Sequence, residues 1–133
     1  MKGYTSETIR NVALVGHGGC GKTTFLESAL LATGVIDRLG KVEDGNTVSD
    51  YDKMEIEKGF SINTSIVPGE WKDSKITFID TPGYFDFVGE VEEAVSVADA
   101  AIIVVNCKAG IEVGTEKAWE LCDKLKLPRI IFV

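Results

Sequence analysis

The chain has 133 residues, of which 44% are hydrophobic and 26% charged, and its formal net charge is −7. That length suits one domain of about 100 to 150 residues and leaves no room for two independent cores, while the composition lies far from the corner where disordered chains fall. The acidic balance argues against direct nucleic-acid binding and against docking on anionic membrane, so any bound anion needs a local site.

No apolar run approaches the about 18 residues of a membrane span, and Met1–Arg10 lacks the apolar stretch of a signal peptide. A cytoplasmic location without a membrane partner is therefore expected. Cys20, Cys107 and Cys122 are odd in number and form no C-x-x-C pair, so reduced thiols are expected rather than a disulfide framework or a zinc site.

The first apolar run, Asn11–Val15, predicts a strand that stops at the glycines Gly16, Gly18, Gly19 and Gly21. Phe25, Leu26, Ala29 and Leu30 recur at helical spacing and predict a helix over Lys22–Thr33, with Gly34 where a helix stop belongs. From Gly34 to Phe60 periodicity fades, and seven acidic residues face four basic ones; a loop of that length is usually functional or mobile. Ile62–Trp71 and Lys75–Ile79 predict an antiparallel hairpin, with Pro68 weakening its first strand. Asp80-Thr81-Pro82-Gly83 reads as a turn, with Pro and Gly placed as in type II. Val91, Ala94, Val95 and Ala98 mark the next helix, and Ala101–Val105 a strand covered on both faces. Ala118, Leu121, Cys122 and Leu125 mark the last helix, and Arg129–Val133 the last strand. The alternation predicts an α/β fold with a mostly parallel sheet between helical layers. A chain that stops on what reads as a central strand is expected to be a piece of a longer protein.

Gly16–Thr23 spells G-H-G-G-C-G-K-T, the pattern G-x-x-x-x-G-K-[ST], directly after a strand and opening a helix. Backbone N–H groups must close round a polyanion, and Gly19 and Gly21 permit angles and approaches that a Cβ would block. The helix N-terminus adds about half a positive charge. Lys22 would bridge the outer phosphates and the Thr23 hydroxyl would take a Mg²⁺ position. His17 and Cys20 read as small or outward-pointing members of the loop, and Thr24 completes it. Gly16, Gly18 and Gly21 also satisfy G-x-G-x-x-G, the dinucleotide fingerprint. That alternative wants a second strand ending in an acid about 20 residues on, where this chain has a charged loop, and it leaves Lys22 and Thr23 without a role. Asp80 ends an apolar strand at the carboxyl edge of the sheet, where α/β ligands bind. There it suits a Mg²⁺-linked water, with Thr81, Pro82 and Gly83 turning behind it so that the Gly83 N–H can reach a terminal phosphate.

Three segments, Asn11–Thr24, Met54–Ile62 and Ile79–Phe87, together resemble translational GTPases, nearest to bacterial elongation factor G and its paralogues. The resemblance covers nearly the whole chain in order. It implies a phosphate-loop NTPase fold, α/β/α in three layers, with one antiparallel edge strand and truncated before the last strand and helix. Residues 1–133 would be a partial GTP-binding domain with switch I at about 34–62 and switch II at about 80–95. It further implies GTP and GDP as ligands, GTP hydrolysis, Mg²⁺ as cofactor and action on the ribosome. Thr23, Ser61 and Asp80 would be the metal residues, Ser61 standing where the family usually has a threonine. Lys22 and Tyr84 would be the catalytic positions. Gly19 replaces an aspartate common in elongation factor G, and Tyr84 replaces the histidine that positions the attacking water. A phenol with a pKa near 10 offers water one hydrogen bond but no positive charge, so slow or differently triggered hydrolysis is expected. The family's base-reading N-K-x-D is absent, and guanine is implied by the resemblance alone. A nucleotide-binding switch with little hydrolysis, or a GTPase of the ribosomal-protection type, is the alternative; a kinase shares the phosphate loop but not the D-T-P-G turn.

Overall fold

A computed structural model describes residues 3–84 and 88–133. Five strands form one sheet: β1 (Ile9–Val15), β2 (Ser65–Trp71), β3 (Ser74–Asp80), β4 (Ala100–Val104) and β5 (Arg129–Phe132), in the order β2-β3-β1-β4-β5. Among the named strands the pairs β1–β3, β1–β4 and β4–β5 are parallel, and β2–β3 is antiparallel. The helices are α1 (Lys22–Ala32), α2 (Lys53–Lys58), α3 (Val88–Ser96) and α4 (Val113–Lys124).

The pleat of β1 divides the core. Successive side chains point to opposite faces of a strand, so Ala13 and Val15 pack with Val95 of α3 and with Ala118 and Cys122 of α4. Leu14, between them, packs on the other face with Leu26 and Leu30 of α1. The three-layer α/β/α arrangement with one antiparallel edge is therefore as the sequence predicts. Pro68 is tolerated because β2 is the sheet's edge, where a missing N–H breaks no second ladder. Among the described residues β5 lies at the other side of the sheet from β2, with Ile130 and Ile131 exposed on it.

Most element ends shift by one or two residues, β1 for instance starting at Ile9, and two parts of the sequence reading change more. The first hairpin strand begins at Ser65, not Ile62, because the preceding amides are taken by carboxylates. Glu55 accepts from Ile62 N (2.9 Å) and Asn63 N (3.0 Å), and Glu90 accepts from Thr64 N (2.9 Å). The segment between Gly34 and Phe60 is not one irregular loop. It holds a 3₁₀ turn, Val42–Asp44, and α2, which Asp52 and Glu55 start with a capping box and Gly59 ends at φ 70°.

Candidate nucleotide-binding site

The phosphate loop runs from the buried end of β1 into α1. Gly16, Gly19 and Gly21 have φ of 145°, 74° and 99°, a region L side chains rarely adopt. At Gly19 and Gly21 a Cβ would meet open space, so the backbone angle, not crowding, demands glycine there. Gly18 has a different reason: a Cβ on it would lie 3.0 Å from Tyr84 Cζ.

Lys22 opens α1 buried, with its Nζ donating to His17 O (2.9 Å) and Gly16 O (3.3 Å) across the loop. Thr23 Oγ1 donates to Asp80 Oδ2 at 3.0 Å and lies 3.3 Å from Ser61 Oγ. Ser61 Oγ in turn donates to Asp50 Oδ1 at 2.7 Å. Thr23, Ser61 and Asp80, drawn from three distant segments, thus meet at one point, and Asp50 joins them. Asp80 Oδ1 and Asp50 Oδ2 are buried without a hydrogen-bond partner. Burial pushes the Asp80 carboxyl up to about 6 against the pull of the Lys22 charge and of the neighbouring Ser49 and Thr23 hydroxyls, and the Asp50 charge adds to the rise. Burial also raises Asp50, opposed by its bond from Ser61.

This donor set fits Mg²⁺. Two hydroxyls and two carboxylates with spare oxygens are hard ligands, and Mg²⁺ takes only one or two carboxylates, completing its shell with water and phosphate oxygens. Among the described residues no group of three His, Cys, Asp or Glu forms a closed metal site, so the remaining ligands would come from that water and phosphate. Beside the cluster lies a cleft of about 250 Å³ lined by Gly18, Gly19, Gly21, Lys22, Thr23 and Thr24, with Asp50, Phe60, Ser61, Gly83 and Tyr84 across from them.

Several expected residues serve the site from behind. Thr81 is fully buried and its Oγ1 donates to Leu14 O at 2.6 Å, tying the end of β3 to β1; Pro82 is buried beside it. His17 faces α4 instead of the cleft: its Nδ1 accepts from Gly114 N at 3.3 Å and its Nε2 lies 3.5 Å from Glu112 Oε1. Cys20 is buried, and burial raises its thiol. Gly83 packs so closely on the loop that a Cβ would strike Lys22 Nζ and come within 2.6 Å of Gly18 N. Tyr84 is half-exposed, its ring against Gly18 and tilted 54° to Phe60, with centroids 4.6 Å apart. Phe85 and Phe87, the other aromatics of that motif, lie outside the described residues.

Sequence reasoning passed over Asp50, Glu27, Glu55 and Phe60. Glu27 is fully buried on α1 and accepts from Gly40 N (2.8 Å) and Val48 N (2.6 Å), pinning the linker to the helix that carries Thr23. A carboxylate inside the apolar stripe of α1 was its signal. The signal for Glu55 was the spacing from Asp52, three residues before it. Nothing local marks Asp50 or Phe60.

The sequence matches the family described as elongation factor Tu GTP binding domain over residues 7–133. It is 42% identical to elongation factor G of Granulibacter bethesdensis over 127 residues, 96% of this chain and 18% of that protein. It is also 42% identical to mitochondrial ribosome-releasing factor 2 of Drosophila melanogaster over 132 residues, 99% of this chain and 18% of that one. The chain thus spans about a fifth of the length of the curated relatives it matches. Among solved structures, a protein of Thermus thermophilus superposes with a TM-score of 0.89 at 44% identity, covering 93% of this chain and 19% of that one. A bacterial selenocysteine-specific elongation factor shares the fold at TM-score 0.72 and 22% identity, covering 92% of this chain and 19% of its own. A glycine loop running into Lys22 and Thr23, an acidic strand end at Asp80 and a match along almost the entire sequence lead to one conclusion: the chain belongs to the elongation factor Tu GTP-binding domain family, with elongation factor G and ribosome-releasing factor 2 among its relatives.

Proposed function

We propose that the chain binds Mg²⁺·GTP and hydrolyses it to GDP and phosphate, as the nucleotide switch of a cytoplasmic elongation factor G-like protein that works on the ribosome. The observation that carries this reading is the meeting of Thr23, Ser61, Asp50 and Asp80 beside Lys22, with two buried carboxylate oxygens left unpartnered. No helix among the described residues is long and apolar enough to cross a membrane. Guanine is assigned from the family, since the cluster addresses phosphate and metal, not a base.

In this reading the loop amides and the α1 N-terminus hold the β-phosphate, and Lys22 exchanges its loop carbonyls for β- and γ-phosphate oxygens. Thr23 and Ser61 would hold Mg²⁺, with Asp80 and Asp50 reaching it directly or through water. Bound there, the ion would neutralise charge on the phosphates. Gly83, already against Lys22, would offer its N–H to the γ-phosphate. Water attacks in line with the leaving GDP oxygen, and the stabilisation comes mainly from these fixed positive and N–H groups. Tyr84 lines the cleft, where its hydroxyl can orient that water by one hydrogen bond but brings no positive charge.

That last point favours a second reading, a switch that binds but hydrolyses slowly. Ribosome-stimulated phosphate release from the full-length protein tests both. A single-turnover rate that rises in Tyr84→His, by roughly 10-fold or more as expected of a positioned acid–base group, supports the tyrosine as the limiting element. An unchanged rate removes Tyr84 from the chemistry. Absence of any Mg²⁺-dependent preference for GTP over guanosine refutes the nucleotide reading itself.

A further inference from the structure

Glu55 is a buried carboxylate that the proposed chemistry leaves unused. It belongs to α2, yet its oxygens turn back on the chain that enters and leaves that helix. Oε2 accepts from Asp52 N at 3.3 Å, two residues after Asp50. Oε1 accepts from Ile62 N at 2.9 Å and from Asn63 N at 3.0 Å, the two amides directly after Ser61. Between these grips Ser61 Oγ donates to Asp50 Oδ1 at 2.7 Å and lies 3.3 Å from Thr23 Oγ1. The chain before Asp50 is tied as well, since Ser65 Oγ donates to Ser49 O at 2.7 Å. An ionised carboxylate has about four acceptor sites, and amides fill three of those on Glu55, which leaves it little to offer a metal. Asp50 Oδ2 and Asp80 Oδ1, by contrast, are buried with no hydrogen-bond partner.

A serine hydroxyl is aimed only as well as the backbone beneath it. Gly59 ends α2 at φ 70° and β2 begins at Ser65, so Ser61 lies in neither a helix nor the sheet. We infer that Glu55 is a positioning residue for the two proposed Mg²⁺ residues Ser61 and Asp50: by closing the α2 loop at its base, it fixes the spacing between that hydroxyl and that carboxylate. The inference rests on the Mg²⁺·GTP reading above and deepens it. Bonds from amides to an ionised carboxylate are roughly twice as strong as neutral ones, so three of them make a stiff base for a loop without a ladder of its own. Losing a partner that orients metal ligands typically lowers metal affinity about 10- to 100-fold.

The test uses the full-length protein loaded with a non-hydrolysable GTP analogue, and reads its affinity for Mg²⁺. The chains compared are the wild type, Glu55→Gln, Asp52→Ala, Ser61→Ala and the double variant of Glu55→Gln with Ser61→Ala. Glu55→Gln keeps the size of the side chain but turns an NH₂ group on backbone N–H donors, and it should weaken Mg²⁺ binding about 10- to 100-fold. Asp52→Ala removes the side chain that caps α2 at Met54 N and leaves the Glu55 grip on Ile62 and Asn63 in place, so its Mg²⁺ affinity should stay close to that of the wild type. Most of the Glu55→Gln loss should vanish in the Ser61→Ala background, where the hydroxyl to be positioned is gone. An equal loss in Asp52→Ala would show that the stability of α2, not the grip, sets the metal affinity, and it overturns the inference. An undiminished loss in the Ser61→Ala background overturns it too. If the analogue does not raise the affinity of the wild type for Mg²⁺, the nucleotide reading falls and the inference with it; if it does, but Glu55→Gln binds the ion as the wild type does, the inference alone falls.

Discussion

Asp80 shows how one residue can cost the fold stability and still, on the proposed reading, serve ligand binding. Its carboxylate is buried, one oxygen holds the Thr23 hydroxyl and the other has no partner. Burying charge without full hydrogen bonding destabilises a fold, and the rise of its pKa to about 6 reports the same penalty. Asparagine at this position keeps an acceptor for Thr23 and removes the charge. Asp80→Asn should therefore raise the stability of the chain in EDTA, on the order of 1 to 3 kcal/mol, while lowering Mg²⁺-dependent GTP affinity about 10- to 100-fold, as loss of a metal-orienting carboxylate does. Melting in EDTA and nucleotide titration with Mg²⁺ read the two effects separately. A variant less stable than the parent in EDTA would mean that the carboxylate stabilises the empty fold.

Among the elements, the periodic ones were legible in the sequence and the linker was not. Helices α1, α3 and α4 and strands β1 and β4 announce themselves because each buries one face or both, and the apolar spacing records which. The segment from Gly34 to Phe60 instead folds by handing backbone amides to buried carboxylates, an arrangement that leaves no period to read. Glu27 takes the amides of Gly40 and Val48, and Glu55 those of Ile62 and Asn63. Of the site, the phosphate loop and Asp80 were legible because their residue types are tied to fixed spacings, whereas Asp50 and Phe60 reach the cleft only through that tertiary folding. Glu27→Gln tests the arrangement. Its amide NH₂ would face a backbone N–H where an oxygen now accepts, leaving a buried donor unsatisfied at about 1 to 3 kcal/mol. Hydrogen exchange at Gly40 and Val48 should accelerate by one to two orders of magnitude or so, with little change at the β1 amides. Equal acceleration everywhere would show that Glu27 supports the whole fold and not the linker.

At the scale of the molecule, the site is assembled from segments that leave the same edge of the sheet. The phosphate loop follows β1, the Asp80 turn follows the adjacent parallel strand β3, and the linker closes back from α1 to β2. Thr81 locks the first two together through Leu14 O, and His17 links the loop to the start of α4 on the opposite layer. Ligands bind at such an edge because neighbouring parallel strands present their loops on one side. One ligand held by loop, linker and turn then stabilises all three layers at once. A ligand that binds only the folded chain at about 100 times its Kd adds about 2.7 kcal/mol. For a chain of this size that is a rise in melting temperature on the order of 10 °C. Mg²⁺·GTP should produce such a rise in the full-length protein's GTP-binding region, and EDTA should remove most of it by taking away the ion that Thr23 and Ser61 would hold. Guanosine, which lacks every group these residues address, should give almost none. Equal stabilisation by guanosine and by Mg²⁺·GTP would place the binding energy at the base, and the buried cluster of Thr23, Ser61, Asp50 and Asp80 would then need another explanation.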